Sequence, residues 1–249
     1  MRVETGDSRA IGGFIITPGN PKKVLIRGIG PSLGINGMTN VLADPSLQLI
    51  DAQGQLLLNN DNWRDSQEAE IQATTLAPTS DLESAIVATL DPGAYTAILS
   101  GKDGTAGTAL VEIYDLDPGG TSRLANLSTR ASVQTGEDVV IAGFILGVEQ
   151  TDADVVIRGL GPSLSHLGVS GVLADPSLEL RDSEGNLIES DDNWQDDSAQ
   201  AALIAESGLA PESDLEAAME VSLPPGSYTA ILAGNNGTGV GIVEIYNKQ

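Results

Sequence analysis

The chain has 249 residues, of which 41% are hydrophobic and none is cysteine. Its 12 Lys and Arg against 35 Asp and Glu give a formal net charge of −23, which argues against nucleic acid or an anionic membrane surface as partner. The lack of cysteine excludes disulfides, thiolate nucleophiles and cysteine-ligated metals. No apolar run approaches the roughly 20 residues that a membrane-spanning helix needs, so direct membrane insertion is not expected.

Two long segments of the chain repeat each other without a gap. Arg27–Trp63 returns as Arg158–Trp194, at a constant offset of 131 positions. A repeat of this length indicates two copies of one domain, and it places repeat 1 at 1–121 and repeat 2 at 122–249. The segment Ser122–Thr129 alternates like a strand and belongs to either repeat. Chemistry that belongs to the fold is expected in both copies.

Short apolar segments, bounded by Gly and Pro, predict β-strands in both copies. In repeat 1 they are Arg9–Thr17, Lys23–Arg27, Ser46–Ile50, Gln55–Leu58, Ala85–Leu90, Tyr95–Leu99 and Ala109–Tyr114. In repeat 2 they are Val139–Gly147, Asp154–Arg158, Ser177–Arg181, Asn186–Glu189, Ala218–Leu223, Tyr228–Leu232 and Gly241–Tyr246. Closely spaced short strands with little helix predict an all-β fold of two tandem homologous β-sandwich domains.

One short helix is predicted in each copy, after its tryptophan. Asp65-Ser-Gln-Glu68 and Asp197-Ser-Ala-Gln200 both fit a capping box, in which the first side chain caps the helix and the fourth reaches back. The segments that follow are rich in Ala and Gln. Pro78 and Pro211 end them.

Two acidic loops are the candidate metal site. Their repeated residues are Asp61, Asn62 and Asp65 in the first copy and Asp192, Asn193 and Asp196 in the second. Carboxylate and amide oxygens suit Ca²⁺, which takes six to eight oxygen ligands, and Asp44 and Asp175 are expected nearby if the preceding hairpin forms. The alternative is that these residues make turns and helix caps through local hydrogen bonds.

Three other repeated features have a functional and a structural interpretation. Asp81-Leu-Glu83 and Asp214-Leu-Glu216 either add metal ligands from across the sandwich or form solvated loops, and we expect solvated loops. Arg27 and Arg158 end a strand and either bind substrate or form a structural ion pair, for which the acidic loop offers a carboxylate, and we expect the ion pair.

The third feature is the tryptophans. Trp63 and Trp194 are the only two in the chain and hold equivalent positions. An exposed tryptophan is a stacking platform for a sugar, whereas a buried one anchors the helix on the sheet. We expect the anchor.

One hydrolase-like pattern occurs and does not support an enzyme. Gly30-Pro-Ser-Leu-Gly34 matches the Gly-x-Ser-x-Gly elbow, which needs a strand-to-helix turn and a histidine partner. The sole histidine, His166, lies in the other copy, and that copy reads Gly-Pro-Ser-Leu-Ser. No catalytic constellation is recognised, so the protein is not expected to be an enzyme.

Parts of each copy resemble bacterial pre-peptidase C-terminal domains. The resemblance rests on Asp44–Gly54, Asn60-Asp-Asn62 and Pro92–Leu99, matched in the second copy by Asp175–Gly185, Asp191–Asn193 and Pro225–Leu232. The Arg-Gly-x-Gly-Pro-Ser-Leu and Asn-Asp-Asn-Trp signatures are similar to tandem repeats of very long secreted proteins from environmental bacteria. This resemblance implies a jelly-roll-like β-sandwich. It also implies a non-catalytic role in surface attachment, spacing or substrate binding, sometimes with calcium.

These observations predict an extracellular structural or adhesive repeat module at a bacterial cell surface or in a filament. Arg2–Gly6 matches Arg130–Gly136, so we expect the chain to come from a longer protein whose neighbouring repeats are its partners. The alternative is a calcium-dependent carbohydrate-binding module, which would bind a surface polysaccharide. That alternative predicts that both tryptophans are exposed beside a shallow groove.

Overall fold

The computed structural model describes residues 1–3, 9–136, 139–147, 152–235 and 237–248. The chain forms two compact units, Met1–Leu127 and Ser128–Gln249. The boundary falls inside the strand Leu124–Val133, at the segment that the sequence left open to either repeat. The predicted match of Arg2–Gly6 lies partly outside the described residues.

Unit 1 is built from short antiparallel strands and one α-helix turn after Trp63. Its elements in chain order are β1 (Arg2–Val3), β2 (Ala10–Ile16), β3 (Lys22–Ile29), β4 (Pro45–Asp51), β5 (Leu56–Asn60), α1 (Glu68–Ala73), β6 (Ser84–Leu90), β7 (Gly93–Gly101), β8 (Gly107–Thr108), β9 (Leu110–Asp115) and the start of β10 (Leu124–Val133). One sheet has the order β2–β7–β4–β5, and the other has the order β6–β3–β9.

Unit 2 repeats this plan, with a single strand, Gly239–Asn247, in the place of β8 and β9. Its elements are the end of β10, β11 (Val140–Leu146), β12 (Ala153–Leu160), β13 (Pro176–Arg181), β14 (Leu187–Asp191), α2 (Ser198–Glu206), β15 (Ala217–Leu223), β16 (Gly226–Gly234) and β17 (Gly239–Asn247). The sheets have the orders β11–β16–β13–β14 and β15–β12–β17. The predicted all-β fold with few short helices is therefore confirmed.

The core of unit 1 lies between its two sheets. Alternate residues of β2 and β4 point into it, such as Phe14, Leu47 and Leu49, and they meet Val24 and Ile26 of β3. This alternation is what the two-residue period of a strand requires when one face is buried. The jelly-roll-like sandwich thus follows from the pattern of apolar residues along each strand.

The strands β3 and β6 are buried on both faces, which explains their nearly continuous apolar sequences. The outer face of these strands carries a second apolar cluster, in which Trp63 and the α1 residue Ile71 pack on Leu25 and Val87. The helix therefore covers one sheet of the sandwich. The Gly-Pro-Ser-Leu segment that follows the strand β3, and its copy in unit 2, each lead into a short 3-10 helix, Pro31–Asn36 and Pro162–Leu167.

Each predicted capping box consists of two side chains, and three of these four do not make the expected capping bonds. Asp197 caps α2 by accepting bonds from the next turn, but α1 follows Gln67, which has a positive φ of 55° and no capping side chain. Gln67 lies four positions after Trp63, whereas Gln200 lies six after Trp194, so unit 1 lacks the residues for a capping turn.

The amide that was expected to reach back to the cap has another role. Gln200 exchanges two hydrogen bonds with the backbone of Glu220, and Gln67 exchanges two with the backbone of Val87. These glutamines fix the helix to the sheet. Within the described part of the chain, no helix has the length and hydropathy needed to cross a membrane.

Candidate functional site

The acidic loop of unit 1 lies at the end of the β4–β5 hairpin. Lys102 Nζ lies 2.5 Å from Asp61 Oδ2 and 3.8 Å from Asp44 Oδ2. Burial, and then the neighbouring charge of Asp61, raise the pKa of Asp44 above its usual range. The expected closeness of Asp44 to the loop is therefore found, and a lysine ammonium offsets one of the two carboxylate charges.

Unit 2 has the same carboxylate pair without the ammonium. Asn235 takes the place of Lys102, and its amide donates to Asp192 and, at 3.4 Å, to Asp175. A neutral amide satisfies oxygen atoms but leaves both negative charges in place. The two repeats therefore differ in charge at this point while keeping the same geometry.

The remaining predicted metal residues bond to each other. Asn62 Nδ2 donates to Asp65 Oδ2 at 3.1 Å, and Asp65 N donates to Asn62 O at 2.9 Å. Asn193 and Asp196 form the same turn in unit 2. The structure thus brings Asp61 to Asp44 and Lys102, and it gives Asn62 and Asp65 the turn geometry that was the alternative to metal binding.

Calcium binding at these loops stays a prediction. One oxygen each of Asp44, Asp61 and Asn62 is buried without a hydrogen-bond partner among the described residues, which leaves acceptors for a cation. Against this, no three Asp, Glu or His side chains in the described ranges are grouped so as to hold a metal ion. Melting the protein with Ca²⁺ and then with EDTA is the measurement that tests the prediction.

A buried glutamate is the residue that the sequence interpretation missed. Glu83 is fully buried, and its Oε1 accepts bonds from Gly30 N at 3.1 Å, Ser32 N at 2.9 Å and the Ser32 hydroxyl. Its Oε2 accepts a longer bond from Ser80 N at 3.3 Å. The expectation of a solvated loop is wrong for Glu83, because this buried carboxylate accepts hydrogen bonds from the backbone amides at the start of the 3-10 helix Pro31–Asn36.

Glu216 has the same role in unit 2. It is fully buried and accepts from Gly161 N at 2.9 Å and from Ser163 N at 3.0 Å and its hydroxyl at 2.6 Å. The signal in the sequence that could have revealed this contact is that Gly-Pro-Ser and Asp-Leu-Glu recur together in both copies. The serine of the hydrolase-like pattern is thus a donor to a structural carboxylate.

The repeated arginines form ion pairs, but with a different partner from the one expected. Arg27 bonds to Glu112 of β9, to the carbonyl of Leu76 at 2.6 Å and to the Tyr114 hydroxyl at 3.1 Å. Arg158 bonds in the same way to Glu244, Leu209 and Tyr246. The predicted acidic-loop partner is wrong, because a residue beside Arg27 on the neighbouring strand is closer in the sheet.

The tryptophans differ between the units. Trp63 is 2% exposed, donates from Nε1 to Ser80 O at 3.1 Å, and lies under the guanidinium of Arg64, 4.2 Å from the ring. This confirms the predicted anchor in unit 1 and contradicts the exposed platform of the alternative. Trp194 is half-buried, and Gln195 follows it where Arg64 follows Trp63.

A lysine in unit 1 is buried without a counterpart. Lys22 is fully buried at the start of β3 and donates to Asp115 Oδ2 at 3.0 Å and to Asp117 O at 2.6 Å. The equivalent position in unit 2 holds Ala153, as the matching registers of β3–β6 and β12–β15 show. The ammonium therefore fastens the segment that leads from β9 toward β10.

Comparison with known proteins gives no family. No family model and no curated protein matches the chain. Among solved structures, the chain is similar to the STIV MCP, with 12% identity, 99% of this chain and 93% of that chain covered, and a TM-score of 0.26.

Two further structures show likenesses of the same order. The major capsid protein P2 of bacteriophage PM2 has 9% identity, coverage of 99% and 97%, and a TM-score of 0.25. The collagen adhesin of S. aureus has 7% identity, coverage of 97% and 82%, and a TM-score of 0.18. All three scores are below 0.5, so these likenesses carry no argument about function.

Proposed function

We propose that the chain is a non-catalytic, extracellular structural module of the adhesive or spacer type, in which successive sandwich repeats are joined through the inter-repeat strand β10. The observation that carries this proposal is the structural role of three residues that recur in both units. The arginine, serine and glutamate that recur in both units all bond within the fold. Their recurrence is therefore explained by stability, without a reacting group.

The joining strand is the second support. The first four residues of β10 belong to unit 1 and the last six to unit 2. Leu124 and Leu127 pack against the core of unit 1, and Arg123 O accepts a bond from Thr17 N at 2.9 Å. Ala131 and Val133 are buried in the other half. A strand divided in this way makes each unit depend on the same segment of chain.

The composition suits an extracellular spacer. A net charge of −23 keeps chains apart in solution, and a chain without cysteine cannot form incorrect disulfides in an oxidising environment. The carbohydrate-binding alternative is less favoured, because it needs a matched pair of exposed tryptophans and Trp63 is buried under Arg64.

Replacing Ser122–Thr129 with eight Gly and Ser residues tests the proposal. We expect the parent chain to unfold in one thermal transition, and the variant in two, with unit 1 melting at least several degrees lower because Leu124 and Leu127 no longer cover its core. The control inserts the same eight residues between Gln53 and Gly54, in an exposed hairpin turn. If the variant melts like the parent, the joining role of β10 is refuted.

A further inference from the structure

The strands β2 and β11 hold equivalent places in the two units but have different surroundings. β2 pairs with β7 in a register that sets Phe14 opposite Tyr95, and β11 pairs with β16 so that Phe144 faces Tyr228. Both ring pairs are stacked at 5.5 Å. The two strands are therefore built alike on the side that faces their own sheet.

Their other edges differ. In unit 1 the start of β10 lies beside β2, and Arg123 exchanges hydrogen bonds with Thr17 at the end of this pairing. Among the described residues, β11 pairs with β16 alone and ends its sheet. An edge of this kind presents a row of unpaired N–H and C=O groups, ready to pair with another strand.

Exposure of the side chains follows the same difference. Ile15 is 39% exposed, whereas its equivalent Ile145 is 75% exposed. Ile16 is buried, and its equivalent Leu146 is only half-buried. Every outward position of β11 is less covered than its counterpart on β2.

The opposite edges of the same sheets show no such difference. Leu56 of β5 is 48% exposed, and Leu187 of β14 is 51% exposed. Of the two edges of this sheet, the difference therefore lies at the one that β10 covers in unit 1.

β11 also lacks the features that protect a solvent-facing edge. Its sequence, Val-Ile-Ala-Gly-Phe-Ile-Leu, contains no charge and no proline over seven residues. Natural edge strands exposed to solvent usually carry lysine, proline or a bulge, which prevent pairing with other chains. The sequence of β11 is thus that of a strand with a neighbour on both sides.

We propose that the free edge of β11 is an acceptor site for a β-strand, and that its occupant is an inter-repeat strand of the β10 kind supplied by a further repeat. This rests on the proposed function as a repeat module. Main-chain hydrogen bonds supply the attachment, as in other cases of strand addition, and apolar residues spaced like Leu124 and Leu127 cover the exposed core edge. Unit 1 shows both parts of this arrangement already assembled.

The test extends the chain with its own joining segment. The sequence of residues 118–133 is appended after Gln249, so that the new strand begins as far beyond Asn247 as β10 begins beyond Asp115. These two residues are equivalent, because they face Val155 and Val24 in matching registers. The control carries the same extension with aspartate at the two positions copied from Leu124 and Leu127.

Hydrogen exchange of the amides is the readout. We expect exchange of 140–146 to slow about tenfold or more in the extended chain and to stay unchanged in the control, while exchange of 10–16 is the same in all three proteins. Equal exchange of 140–146 in the extended and parent chains overturns the proposal. Protection in the parent that grows with protein concentration also overturns it, because a second copy then occupies the edge.

The result is separable from that of the proposed function. If replacing Ser122–Thr129 splits the melting transition but the extension leaves 140–146 unprotected, the spacer role stands and the acceptor site is wrong. If the extension protects 140–146 while the replacement has no effect, the acceptor site stands and the joining role is wrong.

Discussion

Buried carboxylates with several backbone donors are the most consequential single residues in this protein. Glu83 and Glu216 are fully buried. Each accepts hydrogen bonds from backbone amides at the start of a 3-10 helix, which would otherwise lack partners. An unsatisfied buried donor costs about 1–3 kcal/mol, so one such side chain has a large effect on stability. This explains why two distant motifs recur together in both repeats.

Glu83→Ala is expected to destabilise the protein by about 3 kcal/mol or more, because it leaves the amides of Gly30, Ser32 and Ser80 without their acceptor. Urea unfolding measures the change. Glu212→Ala is the control, since this exposed glutamate forms an ion pair with the exposed His166 and its loss should alter stability little. A loss below about 0.5 kcal/mol for Glu83→Ala would contradict the role assigned to it.

A second residue-scale prediction comes from a difference between the repeats. Asp191 accepts a bond from Ala218 N at 2.8 Å, where the equivalent Asn60 accepts from Ala85 N at 2.9 Å. Burial is the main cause that raises the pKa of Asp191 above the ordinary 3.8. A folded-state pKa above the unfolded value means that the charged form costs stability at neutral pH.

Asp191→Asn is therefore expected to stabilise unit 2 by about 1 kcal/mol at pH 7, since the amide keeps the bond to Ala218 and removes the charge. The gain should shrink as pH falls through the folded pKa and vanish below about 4, where Asp191 is protonated in both states. Melting across pH 3.5–7 checks this. Asn60→Asp, the reverse change in unit 1, should lower stability; a gain that does not vary with pH would argue against the mechanism.

At the scale of elements, the helix and its tryptophan show how a single neighbour changes burial. Arg64 lies over the Trp63 ring, and it also forms an ion pair with Asp81 at 2.6 Å. Gln195 offers neither contact in unit 2, and Trp194 is half-buried. The arginine thus acts as a cover that holds water away from the anchor.

Tryptophan fluorescence tests this interpretation. The Trp194→Phe variant, which keeps Trp63, is expected to emit at shorter wavelength and to resist iodide quenching more than Trp63→Phe, which keeps Trp194. Adding Gln195→Arg to Trp63→Phe should shift its emission toward shorter wavelength, and Gln195→Ala is the matched control. Equal emission from both single variants would contradict the difference in burial.

At the scale of the whole molecule, the segment that follows β9 leads from unit 1 into unit 2. The segment after β9 is fastened by Lys22, and it continues into β10, whose residues are divided between the units. The net charge is −23, and several of the 12 lysines and arginines form ion pairs with carboxylates, as Lys102 does with Asp61. These properties support the proposed role of the chain as a repeat module.

Much of the fold was predictable because it depends on local pattern. The two-residue alternation of Ser46–Ile50 predicted a half-buried strand, and β4 occupies Pro45–Asp51. The predicted anchor at Trp63 was also found. By contrast, the helix start at Asp65 was predicted wrongly, because a capping motif in sequence does not reveal that the loop before it is two residues too short.

The sequence by itself determined the repeat, the strands and the all-β class, because these follow from the period of apolar residues and from the turn residues between them. Only the tertiary structure decided the partners: Arg27 meets Glu112, 85 positions away, and Glu83 meets Ser32, 51 positions away. Nothing in local pattern specifies such contacts, since they are set by which strands become neighbours in the sheet. The uncovered edge of β11 was also decided by the tertiary structure, because it is visible only when β2 and β11 are compared in their sheets.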